Sequence, residues 1–197
     1  MAWMKGRVLL AVCILSFSVS AFSSEPELGS SVKGDINWLY HGNAKRRTEA
    51  AERLVAAGPR VIPLLLPVIC DRTKPRFKEA WPIAAKILGE MKAKAAAPCL
   101  VDLLMYEYPP MGPVIMKTDE TLMGVDPAFA ALVRIGEPAV PAIRAHLPFL
   151  GPEAAIMALR VLRVINTPSA REAAETYIKT LQHQLRFAGQ VLEDFGK

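Results

Sequence analysis

Histidines, cysteines and one run of tyrosines and methionines are the residues of this chain best suited to chemistry or binding, and their spacing excludes most catalytic readings. Metal or acid–base chemistry needs His and carboxylates that converge. His41, His146 and His183 are dispersed and no His-Glu pair occurs, so a metal site would require distant segments to meet. Nucleophilic catalysis has no better footing, since the chain contains neither Gly-x-Ser-x-Gly nor a phosphate-cradling glycine loop. No catalytic residue, cofactor or metal is expected. The segment Met105–Met116 is richer in binding groups: Tyr106, Tyr108, Met111, Val114 and Ile115 all bury well against another surface, and its three prolines forbid a regular helix. Arg144 and His146 are suited to lining a groove for an acidic partner. The plainer uses are tyrosines folded back over the chain's own core and two solvated polar side chains.

The elements that position these residues are set by a phrase that returns. Ala57-Gly58-Pro59-Arg60-Val61-Ile62-Pro63 reappears as Ile135-Gly136-Glu137-Pro138-Ala139-Val140-Pro141, each time between Ala-rich apolar segments. With its second proline as a ruler, Pro63, Pro98 and Pro141 mark three units and Glu172 stands at the equivalent point of a fourth, in steps of 35, 43 and 31 residues. The long step contains the Met105–Met116 segment as an insertion of about ten residues, and insertions in repeat arrays map to loops on one face. Each unit reads as a first helix ending at Gly or Asn, a turn, and a second helix opened by Pro. Gly tolerates a left-handed cap and Pro fits a first helical turn.

Apolar positions recur at helical spacing in the first helices: Leu54 and Val55, then Ala80, Ile83, Ala84, Ile87 and Leu88, then Ala131, Leu132 and Ile135, then Ala158, Val161 and Leu162. Hydrophobic residues make up 52% of the chain but aromatic ones only 7%, which favours Ala/Leu helices over strands. The class is all-α. Leu54 to Pro63, Leu88 to Met91 with Ala97-Pro98, and Leu132 to Pro141 together resemble HEAT repeats of the short, PBS-lyase-type kind, over about residues 35 to 182. That resemblance implies a right-handed α-solenoid of about four helical hairpins, with protein binding as the commonest role. The fourth unit departs from the pattern, as suits a terminal unit.

At the N-terminus, Lys5 and Arg7 precede an apolar stretch from Val8 to Phe22 and small residues at Ala21 and Ser23, the pattern of a cleaved secretory signal over residues 1–23. Residues 24–34 read as a flexible linker, 35–182 as the repeat domain, and 183–197 as a helical extension or cap over the open end of the stack. No later segment is expected to span a bilayer. The formal charge is +5, and beyond the leader 22 basic residues face 19 acidic ones, a mild +3. The only dense basic clusters are Lys45-Arg46-Arg47 and Arg72 to Lys78, so no nucleic-acid partner is expected.

An exported chain would allow Cys70 and Cys99 to pair. Measured from Pro63 and Pro98, they are offset by about six residues, or roughly 9 Å along neighbouring helices. With a helix separation of about 8–10 Å, their Cα atoms fall about 12–13 Å apart, beyond bridging distance. Two buried free thiols are therefore expected. The composite expectation is an exported, periplasmic, non-catalytic scaffold that binds protein through its second helices and the inserted segment. The alternative is an accessory subunit or lyase-like enzyme of the same superfamily.

Overall fold

A computed structural model describes residues 26–106 and 118–195, all of whose regular structure is helical. Ten α-helices follow in chain order: α1 (Pro26–His41), α2 (Ala44–Ala57), α3 (Ile62–Cys70), α4 (Phe77–Glu90), α5 (Ala97–Asp102), α6 (Asp119–Val125), α7 (Pro127–Ile135), α8 (Val140–His146), α9 (Pro152–Ile165) and α10 (Pro168–Phe195). The all-α expectation holds. The proposed leader lies outside the described residues, and helix α1 already begins at Pro26, inside the segment expected to be a linker. Asp35 of that helix is buried and accepts hydrogen bonds from the Arg53 guanidinium of α2 at 2.7 and 2.9 Å. Val32 and Leu39 join the core beside it, which explains why the segment is ordered against the body.

Punctuation in the sequence is matched by backbone geometry. Gly58 and Gly136 follow α2 and α7 with φ of +74°, a region where a side chain is strained, and each leads into a 3-10 turn (Gly58–Val61 and Glu137–Ala139) before the next helix. Asn166 does the same work after α9 at φ +53°. The second unit differs from expectation. Gly89 lies inside α4, and the left-handed residue there is Lys92, at φ +51°. A Cβ on Gly89 would stand 2.7 Å from the Ala131 Cα of α7, so glycine serves here for close helix approach.

Packing follows the small residues. First helices α2, α4, α7 and α9 contact one another in succession, and second helices α3, α5, α8 and α10 do likewise. Between the two rows lies one continuous core containing Leu54, Leu65, Leu88, Leu100, Phe129, Leu132, Ile143, Val161 and Leu162, all at most 1% exposed. Each such leucine contributes about 1.5–3 kcal/mol by leaving water.

The stretch Ala44–Cys70 is apolar and long enough to cross a membrane by length and composition, contrary to the expectation of no such segment after the leader. Here it is broken at Gly58 into α2 and α3, and Leu54, Val61, Leu65, Val68 and Ile69 are buried in the core.

At the other end, α10 is one unbroken helix of 28 residues with no boundary at 182. Ala170 and Ala173 are buried against the body, whereas every described residue from Ile178 onward is exposed. Of the two alternatives expected for residues 183–197, the described part to Phe195 is a helical extension and not a cap, since none of it is buried against the body.

Candidate functional site

A cleft of about 440 Å³ opens where the end of α3, helix α5 and the α8–α9 connection meet, lined by Ile69, Cys70, Arg72, Cys99, Asp102, Phe149, Leu150, Gly151 and Ala154. Its floor is held by a bond that corrects the reading of the cysteines. Cys70 and Cys99 form a disulfide with Cα atoms 5.2 Å apart. They are neither free nor fully buried, as Cys70 is exposed and Cys99 half-buried. The estimate of 12–13 Å assumed α3 and α5 lying side by side with their starts in register. In the structure α5 has only six residues and meets the last turn of α3, bringing the third residue of one against the final residue of the other.

Opposite the disulfide, the chain between α8 and α9 presents its apolar groups outward. Leu147 is buried at 1% and anchors a 3-10 turn, Leu147–Phe149, that contains Pro148. Leu150 and Gly151 then adopt extended backbone, as the residue before Pro152 must. This sequence of constraints leaves Phe149 87% exposed beside the cleft while Leu150 packs partly against the core. Proline and glycine flanking an apolar pair, Pro148-Phe149-Leu150-Gly151, were the only signal in the sequence. They mark a turn, where polar residues are the norm.

The polar rim is already organised. The Arg72 guanidinium donates to the Asp102 carbonyl at 2.6 Å and lies 5.1 Å from the centre of the Tyr106 ring. On α8, His146 Nδ1 donates to the Ala142 carbonyl at 2.9 Å, which turns Nε2 toward the Asp102 carboxylate at 3.9 Å. Asp102 is half exposed and is the acidic group that lines the cleft. The cleft thus combines apolar surface, an aspartate and a disulfide. It can grip an apolar side chain accompanied by a cation.

The residues singled out from sequence are only partly united. Tyr106 is half-buried, packed edge-on against Phe77 and Trp81 with ring centres 5.7 and 6.2 Å away, and covers the chain's own core. Arg144 is exposed, and being two residues from His146 it sits on a different side of α8. Tyr108, Met111, Val114 and Ile115 lie outside the described residues.

Both flanks of that segment are pinned. Asp126, buried at the start of α7, accepts from the Phe129 N–H at 2.9 Å and the Met105 N–H at 3.5 Å. Asp119, at the start of α6, is held by Arg160 and Arg163 of α9 at 2.8 and 2.6 Å. Burial alone would raise the Asp119 carboxyl, but the hydrogen bonds and charges of these two arginines outweigh it and hold the group below its ordinary value.

One arginine of each basic cluster is engaged within the chain. Arg46 stacks over Trp38 at 4.5 Å, and Arg72 is spent on Asp102 and Tyr106. Among the described residues no group of three or more His, Cys, Asp or Glu could hold a metal ion. Comparisons with family models, curated proteins and solved structures found no match to this chain.

Proposed function

We propose that this protein is an exported, non-catalytic scaffold of about four HEAT-like helical pairs, arranged as a right-handed solenoid, that binds a protein partner in the cleft over the Cys70–Cys99 disulfide. The observation that carries this reading is Phe149, a large aromatic side chain 87% exposed at the mouth of a concave, partly apolar site. Aromatic anchors of this kind dominate the energetics of protein interfaces. The Asp102 carboxylate across the cleft selects a partner segment that carries a cation next to its apolar residue. The succession of first helices on one side and second helices on the other supports the solenoid, and the disulfide supports an oxidising compartment such as the periplasm. No part of this reading requires a cofactor, a nucleic acid or stable insertion in a membrane.

The test is photocrosslinking in the native cell, with a photoreactive residue placed at Phe149 and, as a control, at the exposed Lys45 on α2. A discrete adduct specific to position 149, diminished by Asp102→Asn, supports the cleft. Identical crosslinking from both positions, or none from 149, removes it.

A further inference from the structure

The exposed half of α10 carries apolar residues in a strict alternation of three and four: Ala174, Ile178, Leu181, Leu185, Ala188, Leu192 and Phe195. This is the 3.5-residue spacing of a coiled-coil seam. The first turns of the same helix bury Ala170 and Ala173 and half-bury Ala174 and Tyr177 against α8 and α9, so the stripe continues an interface already in use and runs out past the body. From Ile178 to Phe195 its large members are 38% to 85% exposed. Positions flanking the seam are Tyr177, Gln182, Gln184, Gly189 and Val191, which carry no charge and so oppose no like-charged copy.

We infer that α10 pairs with α10 of a second copy of this chain as an antiparallel two-helix coiled coil. Antiparallel pairing about a two-fold axis sets Ile178 on Phe195, Leu181 on Leu192 and Leu185 on Ala188, and each layer occurs twice. Two of the three layers thus match a larger residue with a smaller one, whereas parallel alignment would stack Ala188 on Ala188 and Phe195 on Phe195. A membrane surface fits less well. Over residues 178–195 the cations Lys179 and Arg186 are balanced by Glu193 and Asp194, while helices that lie on lipid are rich in Lys and Arg. The stripe is about 26 Å long. Two such stripes would bury roughly 1,000 Å², the lower bound for a specific interface, so the dimer is weak and depends on concentration.

Sedimentation velocity of the whole protein from about 1 to 200 µM, a range that brackets micromolar affinity, measures this directly. The wild type should pass from monomer to dimer, and Leu185→Glu with Leu192→Glu should raise the dissociation constant at least about 100-fold by placing charges in the seam. Both leucines are over 70% exposed, so the body should keep its thermal unfolding transition. Leu181→Cys mixed with Leu192→Cys should form a disulfide-linked heterodimer in preference to either homodimer, because only the antiparallel register sets position 181 on position 192. A wild type that stays monomeric throughout, or a double-glutamate variant that associates equally well, overturns the proposal. Crosslinking of like positions instead, 181 with 181 or 192 with 192, overturns the antiparallel register. Binding to anionic lipid vesicles without self-association overturns the second copy as the occupant.

Discussion

Cys70 and Cys99, the last residue of α3 and the third of α5, are joined with their Cα atoms 5.2 Å apart, so these two helices are covalently tied beside the cleft. The sequence separation is 29 residues. Closing a loop of about 30 residues removes enough freedom from the unfolded chain to contribute about 3.5 kcal/mol. Reduction, or Cys70→Ala with Cys99→Ala, should lower the unfolding free energy by about that amount, read as a lower denaturant midpoint, while leaving the far-ultraviolet helical signal intact. A midpoint that does not move with reductant would show that the bond contributes nothing to stability.

Gly89 marks the closest approach of α4 to α7. A Cβ there would meet the Ala131 Cα at 2.7 Å and its Cβ at 3.0 Å, and the first of these is backbone that cannot turn aside. Gly89→Ala should therefore destabilise by about 1–3 kcal/mol, despite alanine's better helix propensity. Gly124→Ala in α6 has no atom within 4 Å to strike and should be neutral or stabilising by up to about 1 kcal/mol. Urea denaturation of the two variants side by side checks the contrast, and equal effects would refute the close-packing account.

Asp119 links α6 to α9 through Arg160 and Arg163, and its carboxyl titrates below the usual range. A depressed native pKa means that the unfolded chain binds the proton more readily. The stabilisation is thus complete above the unfolded carboxylate value of about 4 and is lost as pH falls through the native value. Asp119→Asn should cost about 1–2 kcal/mol at pH 7, discounted for the solvent exposure of Arg163, and progressively less as pH falls through the native value. Asp71 and Glu137 are lowered as well, by hydrogen bonds from Thr73 and from Ser169 and Thr167, so wild type and variant both weaken in acid. The difference between their stability curves from pH 7 to 2 isolates Asp119. A constant difference across that range would exclude the ion pair as its source.

Local chemistry made the helices legible in the residues. Gly58, Gly136 and Asn166 stop helices because each accepts positive φ, Pro63, Pro98 and Pro141 sit near the starts of the next ones, and the apolar spacing of α4, α7 and α9 marks the faces they bury. Of the residues expected to bind a partner, His146 and Tyr106 stand at the rim, while Cys70, Cys99 and Arg72 were named only in other roles. The Phe149-Leu150 turn and Asp102 were not named, because an exposed phenylalanine looks like any other until its surroundings are known.

What the sequence determined by itself was the all-helical class and the approximate places of α2 to α5 and α7 to α9, properties fixed by neighbours within a few residues. The tertiary structure decided how those helices meet: that α5 crosses the end of α3 and closes a disulfide, that Gly89 is a contact and not a cap, and that α10 runs past the body instead of covering it. Those outcomes depend on distances between segments tens of residues apart, which spacing along the chain does not encode.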